Sequence, residues 1–396
     1  MMQNKLSFLE MTVRNHPLLE SKLTFSLLAE QRVMMDQHDS LTKLFGRNWV
    51  NNIATLVGKN ATGKTTIMKL IMGVLGLLIQ NKSISQTKLD DVLIGEKPIN
   101  VTTLWCGSDA KIYRDEIEFQ NQSGEWIISQ EKIFGKKVSE QVTKKDFLKF
   151  KGTKPLLDRN NLNEVAASVL ADDDSVFRSI IKTSDYQVPA VVETLFYTDY
   201  NALVYTPGKE VPGEILAYLD PTIEYLRLNQ TKDGNFFYQL KFRGEDNVIT
   251  EKNFLAVTKY LSSGTAKGVT LYADIIAALK SGGIIFIDEL ENHFNHSIAR
   301  TFMEYFTNPK INLNRSTLIF STHYSEFLDE IDRGDQIFIA RRDGKISLTR
   351  YSDTDMRPDI SKSEVFQADN LGGTSPSYNA YIRLKNATIK AIKGDA

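Results

Sequence analysis

The chain has 396 residues, a hydrophobic fraction of 42%, a charged fraction of 24% and a net charge of −1. This balance excludes a disordered polyampholyte and any global electrostatic pull on nucleic acid, and leaves room for a large core. The single cysteine, Cys106, excludes an internal disulfide framework and fits a reducing cytoplasm, and its apolar neighbours place it in the core.

The N-terminus carries Glu10 and no apolar signal core, so no secretory leader is expected. Residues 6–33 contain LSFLEMTV and KLTFSLLA, two β-like runs around a polar turn, and predict a hairpin. Residues 53–57, IATLV, read as a short strand buried on both faces. Directly after it comes GKNATGKTT, residues 58–66. Gly58, Gly63, Lys64 and Thr65 match the phosphate-loop spacing, with Lys59, Asn60, Ala61 and Thr62 forming the turn and Thr66 following it. Such a turn aims backbone N–H groups at phosphates. The pattern implies ATP or GTP, with Lys64 on the terminal phosphates and the Thr65 hydroxyl on Mg²⁺. The apolar, proline-free run through Ile79 suits a helix whose N-terminus faces those phosphates. Its most apolar window is about half a membrane span, so a cytoplasmic protein without membrane contact is expected.

Residues 100–134 predict an antiparallel meander of three strands with turns near 107–109 and 120–124. Residues 136–194 read as polar and helical, with eight lysines between Lys132 and Lys154. Those lysines fit either a solvated face or a nucleic-acid contact. Residues 224–242 predict a further hairpin. The expected organisation is residues 1–135 as the first part of the ATPase, 136–210 as a helical insertion or lid, and 211–396 as the second part. No 20 to 50 residue repeat and no sustained heptad run is present.

Three further motifs follow in order. LSSGTAKG, residues 261–268, precedes an apolar helical pattern, and Ser262, Ser263 and Gly264 offer a second anion site at a helix start. In GGIIFIDELENHF, a buried strand ends in Asp288 and Glu289. Asp288 is the candidate metal residue alongside Thr65, and Glu289 the candidate catalytic base. In STLIFSTHYSEFLD, a third apolar strand ends at His323, placed to reach a γ-phosphate or the attacking water.

The order of phosphate loop, LSSGT, strand with Asp-Glu and strand with His resembles the ABC-type ATPases, with similar spacings of about 24 residues from Gly264 to Asp288 and about 35 from there to His323. The resemblance implies an α/β phosphate-loop NTPase of ABC type, with a mixed sheet core, an antiparallel β subdomain and a helical insertion. It also implies an ATP-dependent homodimer in which Ser263 and Gly264 touch the partner's γ-phosphate. DELENHFNHS, residues 288–297, resembles the OLD-like and abortive-infection ATPases related to SMC and RecF heads, and places His293 and Asn295 at the dimer interface. Residues 357–367 and 372–385 are similar to the same group. The glutamine that links nucleotide to the helical region stays open among Gln120, Gln122 and Gln130.

That resemblance implies an ATP-hydrolysing enzyme, requiring Mg²⁺, that regulates a separately encoded effector such as a nuclease or toxin in bacterial phage defence. Only about 70 residues follow His323, too few for the TOPRIM nuclease of OLD proteins. The alternatives are a RecF- or SMC-like repair ATPase that binds DNA, a transporter subunit, and a nucleotide switch without turnover. The missing coiled-coil arm counts against SMC, and the absence of the transporter DEP sequence against the transporter.

Overall fold

The computed structural model describes residues 4–38, 40–194, 210–292, 294, 296–357, 360–371 and 378–393. Its centre is a six-stranded sheet made of β5 (Ile53–Val57), β11 (Val191–Glu193), β15 (Ile284–Ile287), β16 (Thr317–Thr322), β17 (Ile337–Asp343) and β18 (Lys345–Arg350). Their spatial order is β11-β15-β16-β5-β17-β18. All neighbours run parallel except β18, which folds back on β17.

The continuous apolar runs follow from burial on both faces. Ala54, Leu56, Phe286, Ile319 and Phe338 point to one core. Ile53, Val57, Ile285, Ile287, Leu318, Phe320 and Ile339 point to the other. Strand alternation thus feeds two cores from one sheet.

The first core is closed by the phosphate-loop helix Lys64–Ile79 and a second sheet. That sheet contains β1 (Asn4–Arg14), β2 (Lys22–Ser26), β6 (Ile99–Gly107), β7 (Lys111–Gln122), β8 (Glu125–Lys137), β9 (Pro155–Asp158) and β10 (Tyr186–Gln187). The expected meander is β6-β7-β8, fully antiparallel. Its second turn is the pair Ser123 and Gly124, both at positive φ of 57° and 98°. Two left-handed residues make the tight turn whose twist matches paired strands. The helix buries thirteen of its sixteen residues between the two sheets, which accounts for an apolar pattern with little polar face.

The second core lies under the helix Ser263–Ser281, the helix His296–Thr307 and a three-stranded sheet of β12 (Ile223–Gln230), β13 (Phe236–Phe242) and β14 (Val248–Glu251). The remaining hairpin is β3 (Leu41–Lys43) with β4 (Trp49–Asn51).

Segment 136–194 carries helices of four to seven residues at Lys144–Phe147, Glu164–Ser168 and Phe177–Thr183. Interleaved with them are β9, β10 and β11, which join both large sheets. Its lysines are partly occupied internally. Lys136 donates to Asp146 O and Lys149 O, Lys144 donates to Ala29 O and Glu30 O, and Lys149 pairs with Asp146 at 2.9 Å. Cys106 is buried, and burial pushes its thiol up to about 12, leaving it protonated. Among the described residues no helix is long and apolar enough to cross a membrane.

Candidate active site

Strand register assembles the site. β5, β15 and β16 end on the same edge of the sheet, with Val57 opposite Thr322 and Ile287 opposite Phe320. One residue beyond those pairs stand Gly58, His323, Asp288 and Ser321. Ligands of open α/β sheets bind outside the carboxyl ends of such strands.

Two glycines are dictated by space. A Cβ on Gly58 would lie 2.5 Å from Ala340 O and 2.7 Å from Thr62 Oγ1, so the loop could not close. Gly63 sits at φ 94°, where a side chain is strained, and a Cβ there would overlap Ile346. Between them Ala61 also adopts positive φ at 63°, and buried Thr62 donates to Lys59 O at 2.9 Å. Asn60 at the tip is exposed, and Thr65 and Thr66 open the helix.

Lys64 is buried and curls over its own loop. Its Nζ donates to Gly58 O at 2.8 Å and Lys59 O at 3.2 Å, and lies 3.2 Å from His323 Nδ1. Burial lowers its pKa, opposed by the charges of Asp288, Glu289 and Glu291. The Thr65 hydroxyl donates to Asp288 Oδ2 at 2.7 Å, bringing the two candidate metal residues together. Asp288 Oδ1 accepts from Ser321 Oγ, which in turn accepts the Glu289 N–H at 2.8 Å.

Glu289 sits at φ 51°, a left-handed conformation uncommon outside glycine, so strand β15 turns sharply there. Its Oε1 lies 2.8 Å from His323 Nε2, and its Oε2 accepts from Asn292 Nδ2 at 3.1 Å. A carboxylate only accepts, so Nε2 carries a proton in this contact. Nδ1 lies between Lys64 Nζ, a donor at 3.2 Å, and Gly58 O, an acceptor at 3.1 Å.

Two partners that the structure supplies do not stand out in the sequence. Ser321 links both acidic residues. Glu291, only 7% exposed, accepts the His323 N–H through Oε1 at 2.5 Å, while its Oε2 is buried with no hydrogen-bond partner among the described residues. Only the third acidic residue in DELEN hints at it.

The LSSGT segment starts the helix as predicted from its residue types. Ser262 is the N-cap, its Oγ accepting the Thr265 N–H at 3.0 Å. Ser262 and Ser263 are exposed and Gly264 is half-buried, so the segment presents its start to solvent. Lys267, one turn further along, has its pKa lowered by burial and feels the charge of Glu289. Gln120, Gln122 and Gln130 lie on β7 and β8, where Gln120 faces Ile127 and Gln130 faces Glu118 across the ladder. His293, Asn295 and residues 372–377 lie outside the described residues.

The residues fit a magnesium nucleotide. The glycines keep side chains out of the loop, one lysine is held beside it by backbone carbonyls, and a hydroxyl and a carboxylate stand together. Bound nucleotide would supply the phosphoanhydride, and Glu289 and His323, in contact at 2.8 Å, stand at the ends of the neighbouring strands.

Residues 213–329 match the family described as AAA domain, putative AbiEii toxin, Type IV TA system. The match spans LSSGT, Asp288, Glu289 and His323 and leaves out the phosphate loop. Structures of the recombination mediator protein RecF in the RecFOR pathway are similar at 12% identity. The RecF-ATPrS form covers 87% of this chain and 99% of its own with a TM-score of 0.35; the RecF-ATP form covers 87% and 98% with a TM-score of 0.36. No curated protein matches the sequence.

Proposed function

We propose that this chain is an ABC-type ATPase that binds ATP with Mg²⁺, dimerises on it and couples its hydrolysis to a separately encoded effector. One observation carries the reading: Lys64, the Thr65–Asp288 pair and the Glu289–His323 pair converge on one edge of the central sheet from separate sequence segments. In this reading the loop amides of residues 58–63 and Lys64 bind phosphate, and Thr65 and Asp288 hold Mg²⁺. Glu289 takes the proton of the attacking water, and His323 orients Glu289 through Nε2.

A role in bacterial phage defence rests on the DELENHFNHS resemblance and on the toxin context in the description of the matched family. The internal use of Lys136, Lys144 and Lys149 speaks against these lysines as a DNA track, and so favours a protein effector over the RecF-like alternative.

Lys64→Ala should abolish binding of a fluorescent ATP analogue. Glu289→Gln should keep binding, lose at least about a hundredfold in turnover, and accumulate an ATP-bound dimer in native mass spectrometry. Undiminished nucleotide binding by Lys64→Ala would refute the site assignment.

A further inference from the structure

A cavity of about 380 Å³ lies between the antiparallel sheet, the segment at β3 and the C-terminal end of the helix Ser263–Ser281, lined among others by Lys5, Lys43, Phe45, Gln187 and Arg315. It is remote from the nucleotide edge. Arg315 stands two residues before β16 and His323 one residue after it, so the separation is on the order of 25 Å at strand rise.

Three cationic residues line it, and no carboxylate lines the wall among the described residues. Two features oppose an anion. Asp109 stands behind the wall residue Gly107, though it pairs with Lys111 at 2.9 Å and accepts from the Tyr186 hydroxyl. The C-terminus of the helix Ser263–Ser281, whose carbonyls carry partial negative charge, reaches the rim through Ser281 and Gly282. That charge is already answered. Asn314 Nδ2 donates to Leu279 O at 3.0 Å and Lys280 O at 3.1 Å, and the Gly283 N–H donates to Ala278 O at 3.0 Å. The wall's one thiol, Cys106, stays protonated. The charged side chains on the wall itself are therefore all cationic, and Arg315 is held in place by donation to Leu41 O at 3.3 Å. Phe45, with Leu44 and Pro189, gives the cavity an apolar part. A concave site of this volume with an apolar wall and a few converging polar groups is what small ligands use.

We infer that this cavity is a second ligand site, separate from the phosphate loop, that takes a small organic phosphate monoester: the phosphate on Lys5, Lys43 and Arg315, the organic part on Phe45. Because its walls come from β1, β3, β6, the end of the helix Ser263–Ser281 and the approach to β16, an occupant would tie the antiparallel sheet to the ATPase core.

The test is calorimetric titration of the full chain with AMP and, separately, with ribose 5-phosphate, in a Lys64→Ala background so that the phosphate loop does not compete. Binding of either ester is expected, tighter for AMP if its ring reaches Phe45. Lys5→Glu with Lys43→Glu, two exposed positions, should weaken binding at least about tenfold while leaving the unfolding midpoint and, with Lys64 intact, ATP binding unchanged. No binding of either ester at millimolar concentration, or binding indifferent to the double charge reversal, overturns the inference. Loss of ester binding with Lys64→Ala alone would also overturn it, by assigning the ligand to the phosphate loop.

Discussion

At the scale of single residues, two buried carboxylates make separable predictions. Glu291 uses one oxygen on the His323 N–H and leaves the other buried without a partner among the described residues. Glu291→Gln keeps an acceptor for that N–H and removes the charge, so stability should change by no more than about 1 kcal/mol. It also removes one of three negative charges that favour protonated Lys64, so turnover should fall about tenfold; steady-state kinetics and denaturant unfolding on one sample check both. Asp115, on β7, has both oxygens buried without hydrogen-bond partners among the described residues. Burial, with Glu131 and Glu116 adding, holds its carboxyl well above the ordinary 3.8. The folded state therefore binds more protons than the unfolded one above that value. Its contribution is fully present below 3.8 and is lost as pH rises through the raised value, by about 1.4 kcal/mol for each pH unit that separates the folded and unfolded values. Asp115→Asn, isosteric and uncharged, should lose less stability than the wild type as pH rises above about 4. Parallel stability curves for the two proteins would rule out Asp115 as the titrating group.

At the scale of elements, the site depends on the ends of β15 and β16 staying in register, and Ser321 is the bolt. Its hydroxyl donates to Asp288 and accepts from the Glu289 backbone. Ser321→Ala should cost about 1 to 2 kcal/mol and raise the Mg²⁺ concentration needed for half-maximal ATPase activity more than it raises the ATP requirement. Equal shifts in both would show that Ser321 serves the fold alone. Such a residue is hard to see in a sequence, because a serine in FSTHY looks like any strand end until the neighbouring strand is placed. The strands themselves were legible: IATLV and IIFI are uniformly apolar because two cores claim alternate residues. The meander was legible from its turns. By contrast β10 and β11, of two and three residues, are too short to show any periodicity and are defined only by their parallel neighbours β1 and β15. Glu291 escaped for the same reason as Ser321: its role is a contact to the backbone of another strand.

At the scale of the whole molecule, the proposed function requires two chains. Within one chain, Ser262 and Ser263 are exposed at the start of a 19-residue helix, whereas Lys64 is buried beside Gly58 and His323. If each nucleotide lies between one chain's phosphate loop and the other's LSSGT segment, the two halves can be damaged separately. Ser263→Arg leaves a sound phosphate loop and a blocked LSSGT segment; Lys64→Ala leaves the reverse. Each variant alone forms only defective composite sites. Mixed in equal amounts, half of the dimers formed at random are heterodimers, and each of these contains one site with both halves intact and one with neither. ATPase activity should therefore reappear on mixing, at about a quarter of the wild-type rate if sites act independently and all dimers form equally well, and it should rise with protein concentration as dimers accumulate. Because neither variant alone can build an intact site, recovered turnover identifies contributions from both chains. Failure to recover while native mass spectrometry shows the heterodimer present would mean that LSSGT does not complete the partner's site, and the association would then have to be explained without a shared nucleotide.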